Sequence, residues 1–310
     1  MQPQSDVDTA EIVLTPDRAE VEPPVPFSSL VQVDFGAVSH VGKVRTNNED
    51  HYQLLRLSRS MRVLGSNLPP GLVPPAYDEV GYSMAVADGM GGVAAGEVAS
   101  MLAITFGTSI TLHRPKWTLK LDEEETRELK RRADRLVQQI KEAMSQEADA
   151  DPALARMGTT LTVTYSLGDE LYVFHVGDSR AYLFRDGELR QLTHDHTVAQ
   201  AMADAGQITQ EEVATHRKRH VLVNVLSVEA RDVFVEMKQV RLEDGDRVLL
   251  CSDGLTEMVK DPEIAAILGQ SADAQATCQA LVDQALANGG RDNVTVLLAR
   301  YRIPDRPDAL

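Results

Sequence analysis

The sequence predicts an α+β protein in which antiparallel sheets are covered by helices. Apolar, β-rich runs follow one another through hairpin signals, most clearly in LYVFHVGDSRAYLFRDGELRQLT (171–193). Helix-period segments are separated by runs of such strands, so the chain lacks the alternating rhythm of a parallel sheet. No internal repeat and no shift in composition marks a second domain.

The elements follow in order. Residues 1–27 carry five prolines and six acids against one base, Arg18, and one aromatic, Phe27. Such a segment cannot bury enough apolar surface to offset its ordering entropy and is expected to be a disordered tail. One domain is expected over 28–303, with a short tail at 304–310. Strands are expected at 31–38 and 82–87, and the proline-rich stretch 65–81 between them reads as a surface loop. A helix over 96–110 places Val98, Met101, Leu102, Thr105 and Phe106 on one face. A longer helix, 123–147, repeats at Leu129, Leu136, Val137, Ile140 and Met144, and Asp122 with Glu125 has the form of its capping box. Further strands are expected at 159–166, 171–176, 180–185, 189–192, 233–240, 247–251 and 294–301. Asp186-Gly187 supplies a hairpin turn. A helix over 273–288 groups Leu281, Val282, Ala285 and Leu286 and stops at Gly289-Gly290.

Bulk properties narrow the function classes. The net charge of −16 disfavours a nucleic-acid backbone or an anionic membrane as partner. Cys251 and Cys278 show no CxxC spacing, so neither a disulfide framework nor a zinc site is suggested, and both read as small buried residues of a reducing compartment. The N-terminus has no basic start followed by an apolar core, and no run reaches the ~18 apolar residues that span a bilayer. A cytoplasmic monomer is expected.

Four segments share one design, a carboxylate where an apolar strand ends: RTNNED (45–50), AVADGMGG (85–92), LLCSDGL (249–255) and GGRDNVTV (289–296). Each alone has an ordinary reading, since Asp-Gly and Asp-Asn are common turn and loop pairs. Together they imply a cluster of acids, if the strands lie side by side. Clustered carboxylates repel and raise one another's pKa, and a divalent cation with oxygen ligands relieves them. No histidine lies in the four segments, which favours magnesium or manganese over zinc. Gly89 leaves its carbonyl open to an ion. Arg45 suits a phosphate oxyanion, and its plainer reading is a salt bridge to Glu49 or Asp50.

The ordered motifs RTNNED, VADGMGG, MGTTLTV, HVGDSRAYLFRDGELRQLTHDHT, LLCSDGLTEMV and GGRDNVTVLLARY lie within a stretch from about Phe35 to Tyr301. In these the chain resembles the metal-dependent protein phosphatases of type 2C, in the compact form typical of bacteria. The resemblance implies a central sandwich of two antiparallel β-sheets flanked on both sides by α-helices, a four-layer αββα fold. It implies two manganese or magnesium ions, and hydrolysis of phosphoserine and phosphothreonine on proteins by a metal-bridging hydroxide, opposing serine/threonine kinases. Asp88 matches the carboxylate that bridges both ions, and Gly89 the carbonyl ligand of one. Asp253 and Asp292 match ligands of the other, and Glu49 and Asp50 acids that reach the centre directly or through water. Arg45 matches the phosphate-binding arginine and Asn293 a supporting polar residue. Asp178 matches a ligand of a weaker third metal, shared with Asp253.

Two departures are informative. Met90 stands where many eukaryotic members carry a histidine proposed as the acid for the leaving group, so the resemblance leaves that proton to metal-bound water. The stretch THRKRH (215–220) lies in the segment 197–232 that forms a flap in bacterial members, and reads either as a dock for anionic sites or as a solvated helix end. Thr159, Thr160, Asp195 and His196 read as structural or flap-bordering, with a general-acid role the alternative for His196. A catalytically dead binding module, a two-metal nuclease and a small-molecule phosphatase are the competing classes. Retention of Asp88, Asp253 and Asp292 argues against the first, and the acidic balance against the second.

Overall fold

A computed structural model describes residues 26–69, 72–92, 95–112, 123–230, 232–270 and 273–305. The expected N-terminal tail, save its last two residues, and the Asp122 cap lie outside them.

After a short helix α1 (Phe27–Leu30) come strands β1 (Gln32–His40), β2 (Asp50–Arg62) and β3 (Ala76–Met90). Two helices follow, α2 (Ala95–Leu112) and α3 (Glu123–Ala150). The middle of the chain is β4 (Gly158–Thr159), β5 (Leu161–Leu167), β6 (Glu170–Val176), β7 (Arg180–Arg185) and β8 (Glu188–Gln191). Short helices α4 (Val198–Asp204) and α5 (Gln210–Val213) then lead to β9 (Leu226–Ser227), β10 (Glu236–Arg241) and β11 (Arg247–Cys251). The chain closes with α6 (Asp253–Thr256), α7 (Asp261–Gln270), α8 (Ala274–Ala287) and β12 (Val294–Arg302).

One sheet has the order β1-β12-β11-β7-β8 and the other β10-β6-β5-β3-β4-β9, with β2 paired to β3. Every strand pair is antiparallel. Three apolar cores stack between the layers. Met84, Val86, Leu171 and Val173 of one sheet meet Leu183, Leu250, Leu297 and Ala299 of the other. Leu249, Val296 and Leu298 face outward onto Leu255, Leu268, Leu281 and Val282 of the C-terminal helices. On the far side, Ala87, Leu161 and Val176 pack with Ala99 and Ala103 of α2 and Val137, Ile140 and Met144 of α3. Alternate residues of each strand thus feed different cores, and four layers result.

Local chemistry sets several boundaries. Asp186 (φ 51°) and Gly187 (φ 86°) make the expected tight turn of the β7–β8 hairpin. Asp273 caps α8 by accepting the Ala276 N–H, and Thr209 with Glu212 forms a capping box on α5.

Three expectations need correction. The stretch 65–81 is a loop only in its first part, because β3 begins at Ala76 and pairs residue by residue back to Arg62. β2 itself gives little periodic signal, since most of its outer half is exposed. In α2 the buried face is Ala95, Ala99, Ser100 and Ala103, while Met101 and Thr105 point to solvent. The helix approaches β3 too closely for large side chains, so small residues take the inner face. α6 and α7 were not expected, being short or weakly amphipathic.

Candidate metal and phosphate centre

Antiparallel pairing explains how four distant segments meet. Asp50 opens β2 and Asp88 stands near the end of β3, and the two are cross-strand partners. In the other sheet β11 ends at Cys251 opposite Val296 of β12, so Asp253 and Asp292 flank the same edge. The expectation that each acid follows a strand is therefore right for Asp88 and Asp253 only. Asp50 and Asp292 stand at strand starts, which an antiparallel ladder places beside the ends of their partners. Asp178 lies in the turn between β6 and β7.

Asp50 is 5% exposed and forms the floor, while Asp88, Asp178, Asp253 and Asp292 are half-buried. The Ser252 hydroxyl donates to Asp50 Oδ2 at 2.7 Å, and the Thr295 N–H donates to Ser252 Oγ at 3.0 Å. Asp50 Oδ1 is buried without a partner. Around Asp88 the backbone is fixed from both sides. Its N–H donates to Thr160 Oγ1 (3.0 Å), and its carbonyl accepts from the Thr160 N–H and the Thr159 hydroxyl (2.9 Å each). Thr160 and Ser179 share a further hydroxyl bond of 2.7 Å, which links Asp88 to the turn holding Asp178.

The charges are mutually unfavourable. Burial, then the charges of Asp50, Asp253, Asp178 and Asp292, push the Asp88 pKa well above the usual carboxylate range. Burial lifts Asp50 to about 7, against the Ser252 bond. Asp253 also rises to about 7, through burial and then Glu257 and Asp292. Asp178 is raised by burial and by Asp253, and Glu49 by burial against the pull of Arg45.

The loop 41–49 carries the one arginine of this centre's motifs that bonds an acid of the cluster. Arg45 donates from Nη2 to Asp292 Oδ2 at 2.7 Å, rather than to Glu49 or Asp50 as its sequence neighbours suggest. Asn293 clamps the loop: its amide donates to the Val41 and Asn47 carbonyls (3.0 and 2.8 Å), and its Oδ1 accepts the Glu49 N–H (2.9 Å). At Gly89 a side chain is excluded, since a Cβ there would lie 2.1 Å from the Gly96 carbonyl oxygen. A Cβ on Gly96 would in turn lie 2.2 Å from Glu49 Oε2. The bare backbone after Asp88 is thus required by the start of α2.

His196 is held inside the protein. Its Nδ1 accepts from the Gly177 N–H at 3.0 Å and meets Asn224 Nδ2 at 3.0 Å, and its ring stacks on His175 at 4.8 Å. Burial lowers its pKa to about 4, so it is neutral. Asp195 is held by the Arg180 guanidinium. Both are structural bonds.

Sequence reasoning missed Ser252, Glu257 and His220. Ser252 immediately precedes Asp253, but nothing in the chain says that its hydroxyl points to β2. Glu257 follows Asp253 by four residues, a helical spacing that the short α6 hides. His220, at the end of the basic stretch, bonds Glu257. Arg217, Lys218 and Arg219 are exposed.

The side-chain groups that remain are all oxygen: carboxylates, with one buried Asp50 oxygen that has no partner. They fit hard divalent cations. Comparison with known proteins agrees. Residues 76–288 match the family model described as Protein phosphatase 2C. That match leaves Arg45, Glu49, Asp50, Asp292 and Asn293 outside, so their membership of the centre rests on geometry. The chain is 40% identical over 216 residues to the serine/threonine protein phosphatase PstP of Mycobacterium tuberculosis, covering 70% of this chain and 40% of that protein. It therefore spans less than half the length of that relative. It is 35% identical over 216 residues to the serine/threonine phosphatase stp of Listeria monocytogenes, covering 69% and 82% of the two chains. The crystal structure of M. tuberculosis PstP superposes with a TM-score of 0.69 at 35% identity, over 86% of this chain and 98% of that one. The PstP catalytic domain in complex with two manganese ions gives 0.67 at 34% identity, over 88% and 99%. The site, the four-layer fold and these relatives converge: the chain belongs to the protein phosphatase 2C family.

Proposed function

We propose that this chain hydrolyses phosphoserine and phosphothreonine on proteins at a centre that holds two manganese or magnesium ions. One observation carries the reading: five carboxylates from four motifs and one turn converge at the edge of the sandwich, where burial and the neighbouring negative charges raise the pKa of Asp50, Asp88, Asp178 and Asp253. Only bound cations make such a cluster stable as anions. In this reading Asp88 would serve both ions, Gly89 would lend its carbonyl to one, and Asp253 and Asp292 would hold the other. Glu49 and Asp50 complete the set directly or through water, and Asp178 with Asp253 offers a weaker third position. When bound, the ions lower the pKa of water and polarise phosphoryl oxygens.

The chain's own residues do the rest. Arg45, oriented by its bond to Asp292, holds the phosphate ester against the carboxylate edge. Asn293 keeps the Arg45 loop in register with Glu49. Asp88 is set on a backbone bonded on both sides, so the centre is preorganised. Phosphorylated proteins, with serine/threonine kinases and their targets foremost, are then the substrates. All five acids come from one chain, which supports a monomer, and two buried free cysteines support a cytoplasmic setting.

The test is hydrolysis of a phosphothreonine peptide with manganese, with and without chelator. Asp88→Asn is expected to lose about two orders of magnitude or more in kcat, the scale of removing preorganised charge stabilisation. Equal rates for the two proteins would overturn the reading.

A further inference from the structure

A second set of ligating atoms lies beside the acidic cluster. His220, Asp253 and Glu257 each bring one nitrogen or oxygen to within 4.8 Å of the other two. Two of them come from a single helical turn, where Asp253 opens α6 and Glu257 is its C-cap. The third closes the basic stretch in the segment that runs from α4 to β9 (198–227), and its Nδ1 bonds Glu257 Oε1.

The chemistry of this set differs from that of the cluster. The Asp88 side offers oxygen alone, which suits magnesium and manganese, whereas an imidazole draws transition ions. Zinc takes histidine nitrogen and carboxylate oxygen at about 2.0–2.2 Å and is content with three protein ligands and an open fourth position. A comparable trio, His175, His196 and Glu236, shows the contrast. There both His175 nitrogens are taken, by the Thr162 hydroxyl and the His194 carbonyl, in a buried setting. The side chain of His220 is 43% exposed and open to an arriving ion.

We propose that His220, Glu257 and Asp253 bind a divalent transition-metal ion, zinc by their ligand chemistry, which ties the 198–227 segment to α6 and restrains the enzyme. The proposal rests on the reading of Asp253 as a ligand of the paired centre. Because Asp253 belongs to both sets, zinc bound here would compete with manganese for that carboxylate. It also fixes the basic residues Arg217, Lys218 and Arg219 against the mouth of the site.

The experiment uses the full chain. Bound manganese is counted first without zinc. Zinc is then titrated against a chromophoric chelator in manganese-loaded wild type and His220→Gln, and tryptic cleavage after Arg217, Lys218 and Arg219 is followed with and without zinc. Wild type is expected to bind one zinc at least about tenfold more tightly than the variant, the scale of losing a metal-site contact. Zinc slows cleavage at those three residues in wild type and not in His220→Gln. Equal zinc affinity and equal cleavage in both proteins, with manganese still bound, would overturn this site alone. A wild type that binds no manganese would overturn the paired centre and this site with it.

Discussion

Asp50 has one carboxylate oxygen bonded to Ser252 and the other buried with no partner, a costly arrangement for an anion. With the cluster empty of cations, burial raises Asp50 from 3.8 to about 7, and Asp253 likewise. A carboxyl with a raised folded pKa stabilises the fold fully below its unfolded value. That contribution is lost as pH rises through the folded value. Chelator-treated protein should therefore melt at a higher temperature near about pH 5.5 than near about pH 8, by linkage between protonation and folding. Asp50→Asn should flatten that difference. Thermal melts at the two pH values check it, and equal melting of the metal-free wild type at both would refute it. Asp88 and Asp50 were legible in the sequence as acids in the right motifs. Thr160 was legible as a structural residue, but the Ser252 hydroxyl that bonds Asp50 was not, because a hydroxyl in a chain carries no record of where it points.

The junction of β3 and α2 shows the same limit for whole elements. The sequence placed the strand, the helix and the glycine-rich turn between them, and Gly91 and Gly92 indeed adopt φ of 121° and 97°. Val98, Leu102 and Phe106 of the expected face do pack against the core, but Met101 and Thr105 face solvent and Ala95, Ala99 and Ala103 lie innermost, because large apolar residues at helical spacing outweigh alanines in a periodic reading. The close approach of Gly96 to Gly89 and Glu49 reverses that preference. Two glycines of α2 differ sharply in the room around them. Gly96→Ala adds a methyl 2.8 Å from the Gly89 backbone carbon and should cost about 1–3 kcal/mol, as overpacking does. Gly107→Ala meets nothing within 4 Å and should gain about 0.5–1 kcal/mol from reduced backbone freedom in the unfolded chain. Denaturant midpoints measure both, and a Gly96→Ala protein as stable as wild type would contradict the packing described.

Across the whole molecule, the two sheets each deliver one pair of acids to a shared edge, so a cation held there would join the sheets. Manganese at a hundredfold excess over its dissociation constant should add about 2.7 kcal/mol of stability by mass action. The melting temperature should rise with manganese in wild type and much less in Asp88→Asn. A manganese-independent melting temperature would show that the edge holds no ion. Among the described residues no helix is long and apolar enough to cross a membrane.

The α+β class, most strands, the faces of α3 and α8, and the acids of the four motifs are legible in the linear chain, because periodicity and ordered motifs are local properties. Tertiary structure alone decided which strand ends share an edge, that Arg45 bonds Asp292, that β2 runs the length of β3, and that His220 meets Glu257. Each of these joins segments whose contact depends on antiparallel register or sheet stacking. A linear chain carries no such distance information until the layers pack.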